Sequence, residues 1–134
     1  MLQAVSTSLL PYQCEFPISS SRGVLFSMVS TPSGLAEWFC DDVSLRNGVY
    51  TFVWGEDVAT ASLVGMKRDE WIRFHWLSGM PTSSDAYFEF KIATDAMTGD
   101  HSLQITDYAE ADEREEAQEL WEAQIDKLRH ILGA

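Results

Sequence analysis

A thiol beside two carboxylates, at Cys40-Asp41-Asp42, is the first place in this chain where residue types suggest chemistry. A thiol attacks only as its thiolate, which requires a base or a positive neighbour to form near neutral pH. No motif locates a histidine partner for Cys40, so the sequence predicts a buried or helix-end thiol. The three histidines are His75, His101 and His130, and no two have a ligand spacing such as HxxxH. Neither Cys14 nor Cys40 joins them, so we expect no metal and no cofactor. There is no GxSxG elbow, no phosphate-cradling glycine loop and no defined acid pair, so no catalytic residue is assigned. Glu89 alternates with Phe88 and Phe90 and falls on the opposite face with Tyr87 and Lys91, where a surface ion pair is expected.

Two polar residues on the last apolar stretch carry more information. Ala117, Leu120, Trp121, Ile125, Leu128, Ile131 and Leu132 recur at steps of three and four, which predicts an amphipathic helix over Asp112–Leu132. Gln124 projects near the middle of that stripe, and a covered carboxamide must find a partner. Backbone or buried water would satisfy it, and so would a ligand that it orients. Arg114, on the border of the same face, either guards a cavity mouth and attracts an anionic ligand or pairs with neighbouring glutamates. The acids Glu110, Asp112, Glu113, Glu115 and Glu116 gather at the helix start, and Lys127, Arg129 and His130 precede Gly133 at its end, matching the helix dipole.

The elements before this helix are mainly strands. Tyr12, Cys14, Phe16 and Ile18 alternate with polar residues and Pro17, as in a strand at an edge or near its end. Ser19-Ser20-Ser21 offers N-caps to a short helix carrying Val24, Leu25, Met28 and Val29, and Thr31-Pro32 starts a second with Leu35, Trp38 and Phe39 on one side. Val43–Arg46 and Val49–Trp54 flank Asn47-Gly48, a strong hairpin signal. Further strands are predicted at Val58–Met66, Trp71–Leu77, Ala86–Ile92 and Ser102–Tyr108. If Tyr50, Phe52 and Trp54 face inward, then Phe74, Trp76, Phe88 and Phe90 do as well, opposite Trp121 and Leu128. A bulge near Gly65-Met66, or the turn at Met80-Pro81, would exchange these sets. The other sheet face then carries Trp71, His75 and Tyr87, large side chains that suggest a homodimer through that face.

A chain of 134 residues, 46% apolar and 12% aromatic, is expected to form a single domain over 1–134, with 1–10 a loose segment. Acids outnumber bases 21 to 9, for a formal charge of −12, which repels nucleic acid and anionic membranes. Two cysteines without a framework, and an N-terminus that makes a poor signal peptide, point to the cytoplasm and to no membrane insertion.

The segments "STPSGLAEWFCDDV" at Ser30–Val43, "RFHWL" at Arg73–Leu77, "YFEFKI" at Tyr87–Ile92 and "LQITDYAEADEREEAQELWEAQIDKLRHILG" at Leu103–Gly133 together carry a resemblance. The chain resembles the START-like, or Bet v 1-like, helix-grip superfamily, in the branch grouped with the activator of the heat-shock-protein-90 ATPase, and most of all short Bacteroidetes proteins of that branch. The resemblance implies an α+β fold in which about six or seven antiparallel strands curl around the C-terminal helix and leave a cavity. Members bind lipids, sterols, polyketides or hormones there, and some are cyclases or hydroxylases. The cavity candidates are Trp38, Phe39, Tyr50, Phe52, Trp54, Phe74, Trp76, Phe88, Phe90, Arg114, Trp121, Gln124 and Leu128. The function so implied is binding of a small apolar or lipid-like molecule. The alternatives are a co-chaperone-like interaction module acting through its acidic surface or outer sheet face, and a cyclase- or isomerase-like enzyme.

Overall fold

The computed structural model describes residues 8–133. The described residues form β1 (Leu10–Pro17), α1 (Arg22–Ser30), α2 (Pro32–Trp38), β2 (Asp42–Arg46), β3 (Val49–Trp54), β4 (Asp57–Lys67), β5 (Trp71–Ser78), β6 (Phe88–Thr94), β7 (His101–Ala109) and α3 (Arg114–Leu132). The strands make one antiparallel sheet in the order β1-β7-β6-β5-β4-β3-β2. This is the α+β arrangement expected, with the helices on one face. Residues 1–7 of the anticipated loose N-terminal segment lie outside the described residues, and Leu10 already belongs to β1.

Local signals act where the sequence puts them. The Ser21 hydroxyl accepts from Val24 N–H, capping α1, and the Thr31 hydroxyl accepts from Gly34 N–H, with Pro32 opening α2. Asn47 and Gly48 take φ of 53° and 76°, as a tight hairpin between β2 and β3 requires. α1 and α2 meet closely because Gly34 lacks a side chain: a Cβ there would lie 2.8 Å from Met28 Cα. The Arg22 guanidinium, at the head of α1, donates to Asp69 O, Thr94 Oγ1 and Ile92 O, tying that helix to the sheet. At the other end of the chain, Arg129 Nε and Nη2 both donate to Pro17 O, at 3.1 and 2.8 Å, fastening α3 to the last residue of β1. Gly133, at φ 71°, ends α3.

The inner face of the sheet is aromatic. Phe52, Phe74, Phe88 and Phe90 are fully covered together with Trp38, Leu103, Ile105, Ile125 and Leu128. Fully covering such a side chain stabilises a fold by roughly 1.5–3 kcal/mol, so the alternation along β3, β5 and β6 leaves one register that buries all of them. β4 carries register irregularities between Thr60 and Ala61 and between Leu63 and Gly65. The second lies where the sequence suggested a bulge. β5 and β6 nevertheless pair Ile72 with Phe90 and Phe74 with Phe88, so the aromatic sets remain on one face.

Several boundaries differ from the sequence reading by one or two residues, and two of them have a local cause. β6 begins at Phe88 rather than Ala86, because the buried Ala86 closes an exposed turn, its N–H donating to Ser83 O at 3.2 Å, and its carbonyl oxygen contacts His75 Nδ1 at 2.8 Å. α3 begins at Arg114 rather than Asp112, after a turn in which Glu113 N–H donates to Glu110 O. Its buried stripe is also narrower than the apolar pattern: Trp121, Ile125 and Leu128 are covered, whereas Leu120 is 63% exposed. No helix among the described residues is long and apolar enough to cross a membrane.

Candidate functional site

The inner sheet face, α3 and the connection between β5 and β6 enclose a cavity of about 750 Å³. It exists because side-chain size changes abruptly along the sheet. β4 turns Ala59 and Ala61 inward, paired with Phe52 and Tyr50 on β3, and Ala61 is also paired with Trp76 on β5. Ala59 lies in the cavity wall, so a methyl group stands where neighbouring strands carry rings. Trp76 and Phe88 stack beside it with centroids 4.6 Å apart. Leu120 on α3, with Val58 and Met80, lines the same space while remaining well exposed, which puts these three at its opening.

Phe39, just past α2, joins the walls. Its ring packs against Phe52, Trp54, Phe88 and Phe90 and stacks on Trp121 at 5.7 Å with 12° between planes. Its carbonyl oxygen accepts Trp54 Nε1–H at 2.7 Å and Gln124 Nε2–H at 3.1 Å. Gln124 thus has the backbone partner its place in the stripe demanded, on a helix end rather than on the sheet, and also lines the cavity.

A polar cluster stands at the β1–β7 side. Trp121 Nε1–H points between Tyr12 Oη and Asp107 Oδ2, 3.1 Å from each, and the Tyr12 hydroxyl donates to Asp107 Oδ2 at 3.2 Å. Asp107 Oδ1 accepts the Tyr108 N–H at 2.8 Å. Burial raises the Asp107 carboxyl above its ordinary range despite these three donors. Burial, followed by the neighbouring Asp107 charge, raises the Tyr12 phenol as well. Tyr12, Asp107 and Trp121 all line the cavity. The sequence reading missed Tyr12 and Asp107 as site residues. The available signal was parity: Leu103 and Ile105 point inward on β7, so Asp107, two residues on, shares their face.

Of the residues singled out from sequence, Phe39, Trp54, Trp76, Phe88, Trp121 and Gln124 come together around the cavity. Trp38, Tyr50, Phe52, Phe74, Phe90 and Leu128 lie in the packed core behind it. Trp38 Nε1–H donates to Met28 O at 2.7 Å and the Tyr50 hydroxyl to Ser30 O at 2.8 Å, so both hold α1. Arg114 is exposed outside the cavity lining, its guanidinium carbon 5.8 Å from the centre of the Tyr12 ring. Cys40 is buried beyond the end of α2, and burial pushes its thiol up to about 11. His75 and His101 contact backbone oxygens of Ala86 and Ser20, and His130 is exposed near the end of α3. On the outer face Arg73 pairs with Glu89 at 2.8 Å and covers the Tyr87 ring, while the Trp71 ring lies across Gly65.

The fold has counterparts elsewhere. A family model described as a START-like superfamily domain matches residues 7–134. A Bacteroides fragilis protein solved by NMR in solution is 37% identical, with a TM-score of 0.64 over 92% of this chain and 91% of that one. The Aha1 dimer of Colwellia psychrerythraea is similar in fold, at 15% identity and a TM-score of 0.75, over 90% of this chain and 93% of that one. So is DynU16, a protein of the dynemicin biosynthetic locus, at 14% identity and a TM-score of 0.77, over 92% of this chain and 47% of that one. No curated protein matches the sequence. Its fold and its matched length identify the chain as belonging to the START-like superfamily.

Proposed function

We infer that the protein binds a small, mostly apolar molecule in the cavity between the sheet and α3. The observation that carries this reading is the cavity itself: about 750 Å³, walled by Phe39, Trp54, Trp76, Phe88 and Trp121. Small-molecule sites are commonly about 300–1,000 Å³, apolar, with a few converging polar groups. Tyr12, Asp107 and Gln124 are among the polar groups in this wall. A cyclase or isomerase would need an acid–base pair facing its substrate. Asp107 and Tyr12 are hydrogen-bonded to each other and to Trp121, which suits orientation of a ligand. Native mass spectrometry of protein purified from its own organism tests the reading. The expected result is a bound small molecule released on unfolding. Empty protein that takes up nothing from lipid or aromatic-metabolite extracts would overturn it.

A second reading concerns the outer sheet face. Trp71, His75 and Tyr87 stand there half-buried, with Tyr87 and Tyr108 rings 5.3 Å apart, and the Colwellia neighbour is a dimer. Pairing of two copies through this face would cover those rings. Sedimentation showing only monomer at high concentration would exclude it.

A further inference from the structure

The wall of the cavity is charged in one sense only. Asp57, Asp107 and Glu113 line it, and among the described lining residues there is no lysine, arginine or histidine. The Asp107 carboxylate is held in place by three neutral donors: the Tyr12 hydroxyl, Trp121 Nε1–H and the Tyr108 amide. They fix its orientation but bring no opposing charge. Among the described residues the ion pairs are Lys67–Glu70, Arg73–Glu89 and Arg129–Asp126, none of which reaches it. Asp107 is half-buried, and a carboxylate partly withdrawn from water without a counter-ion is costly, so a cation arriving beside it recovers part of that cost. The aromatic lining, with Trp54, Trp76 and Trp121 in it, suits the same guest, since the π face of an indole attracts a positive charge. The formal charge of −12 concentrates cations around the chain and repels anions.

We propose that the cavity takes an apolar amine, with its protonated nitrogen at Asp107 and its hydrocarbon or aromatic body against Trp76 and Phe88. This rests on the ligand-binding reading above and narrows it to one class. Of the two roles open to Arg114 from the sequence, it leaves no place for attraction of an anion, since that guanidinium stands outside the lining beside the Tyr12 ring.

Three probes of one shape separate the possibilities: naphthylmethylamine, naphthylmethanol and naphthoate. Each is titrated into the full chain in about 0.15 M salt, where attraction to the acidic surface is largely screened. Binding is read by NMR at the Trp121 indole N–H, which reports the site itself. The amine should bind at least about tenfold more tightly than the alcohol, with naphthoate weakest, and Asp107→Asn should bring amine and alcohol within about twofold of each other. Glu122→Gln, at an exposed position on α3 outside the lining, should leave the ranking intact. An alcohol or naphthoate that binds as tightly as the amine overturns the proposal while leaving the apolar-ligand reading standing. A preference that survives Asp107→Asn overturns it too. If no probe moves the indole signal, the amine proposal falls, and the extract-binding test above decides the apolar-ligand reading. Should Asp107→Asn not fold, the ranking on the unaltered chain still decides.

Discussion

Gln124 Nε2 on α3 and Trp54 Nε1 on β3 donate to one acceptor, the Phe39 carbonyl oxygen, across 3.1 and 2.7 Å. Sheet, short helix and long helix are therefore joined at one atom beside the cavity.

That sharing predicts non-additive stability. Gln124→Ala or Trp54→Phe alone leaves the oxygen one donor, so the lost hydrogen bond costs about 1 kcal/mol. The pair together strips the oxygen of both, adding about 1–3 kcal/mol beyond the sum. Urea midpoints at unchanged slope measure the coupling, and strict additivity would show that water replaces the donors without cost.

Gly79 turns the chain at the cavity mouth with φ +84°, and a Cβ there would come 2.7 Å from Ala59 Cα. Gly99 has a similar φ of +76° with open space around it. Gly99→Ala should cost about 1 kcal/mol, the conformational share alone. Gly79→Ala should cost about 2 kcal/mol more than that, because the β5–β6 connection must move. Equal losses in thermal or urea unfolding would mean the contact relaxes freely.

Asp107 predicts a pH dependence of unusual sign for an aspartate. Burial raises its carboxyl in the folded state above the unfolded value. The native state therefore holds the proton more firmly, and this group's contribution is complete below the unfolded pKa and lost as pH rises through the folded one. Relative to Asp107→Asn, the unaltered protein should gain stability as pH is lowered from about 7 towards about 4. Paired melting curves check this, and a relative loss on acidification would reverse the assignment.

Cys40 should be inert in the folded chain. Its Sγ contacts Leu35 O and Asp42 O at 3.8 and 3.4 Å, and burial pushes the thiol up from 9.0 to about 11. Near pH 8 the thiolate fraction falls about a hundredfold, so alkylation should slow by at least that factor relative to the unfolded chain. Peptide mass spectrometry after iodoacetamide treatment measures it, and equal rates would show that the thiol opens readily to solvent.

Much of this arrangement could be read from residue order. Ser21, Thr31-Pro32, Asn47-Gly48 and Gly133 act through their own backbone conformations, so their helix ends and turn appear where the sequence marks them. The alternation in Tyr50–Trp54, Phe74–Trp76 and Phe88–Phe90 assigned the inner face correctly, because a one-residue slip would expose every ring at once. Asp107 escaped notice although the same alternation reaches it from Ile105. A carboxylate on an apolar face becomes intelligible only when Tyr12, far away in sequence, and Trp121, on another element, supply its donors.

The pattern of side chains by itself thus determined the elements, their caps and the buried faces, since these depend on neighbours within a few residues. Which buried residues line space and which fill it was decided by tertiary structure. Phe52 and Phe88 are alike in sequence and in burial, yet Phe88 borders the cavity and Phe52 does not. The reason is physical: a cavity is a shortfall of volume among several elements, set here by Ala59 on β4, the stand-off of Leu120 on α3 and the turn at Gly79. No single element contains that shortfall, so no local pattern records it.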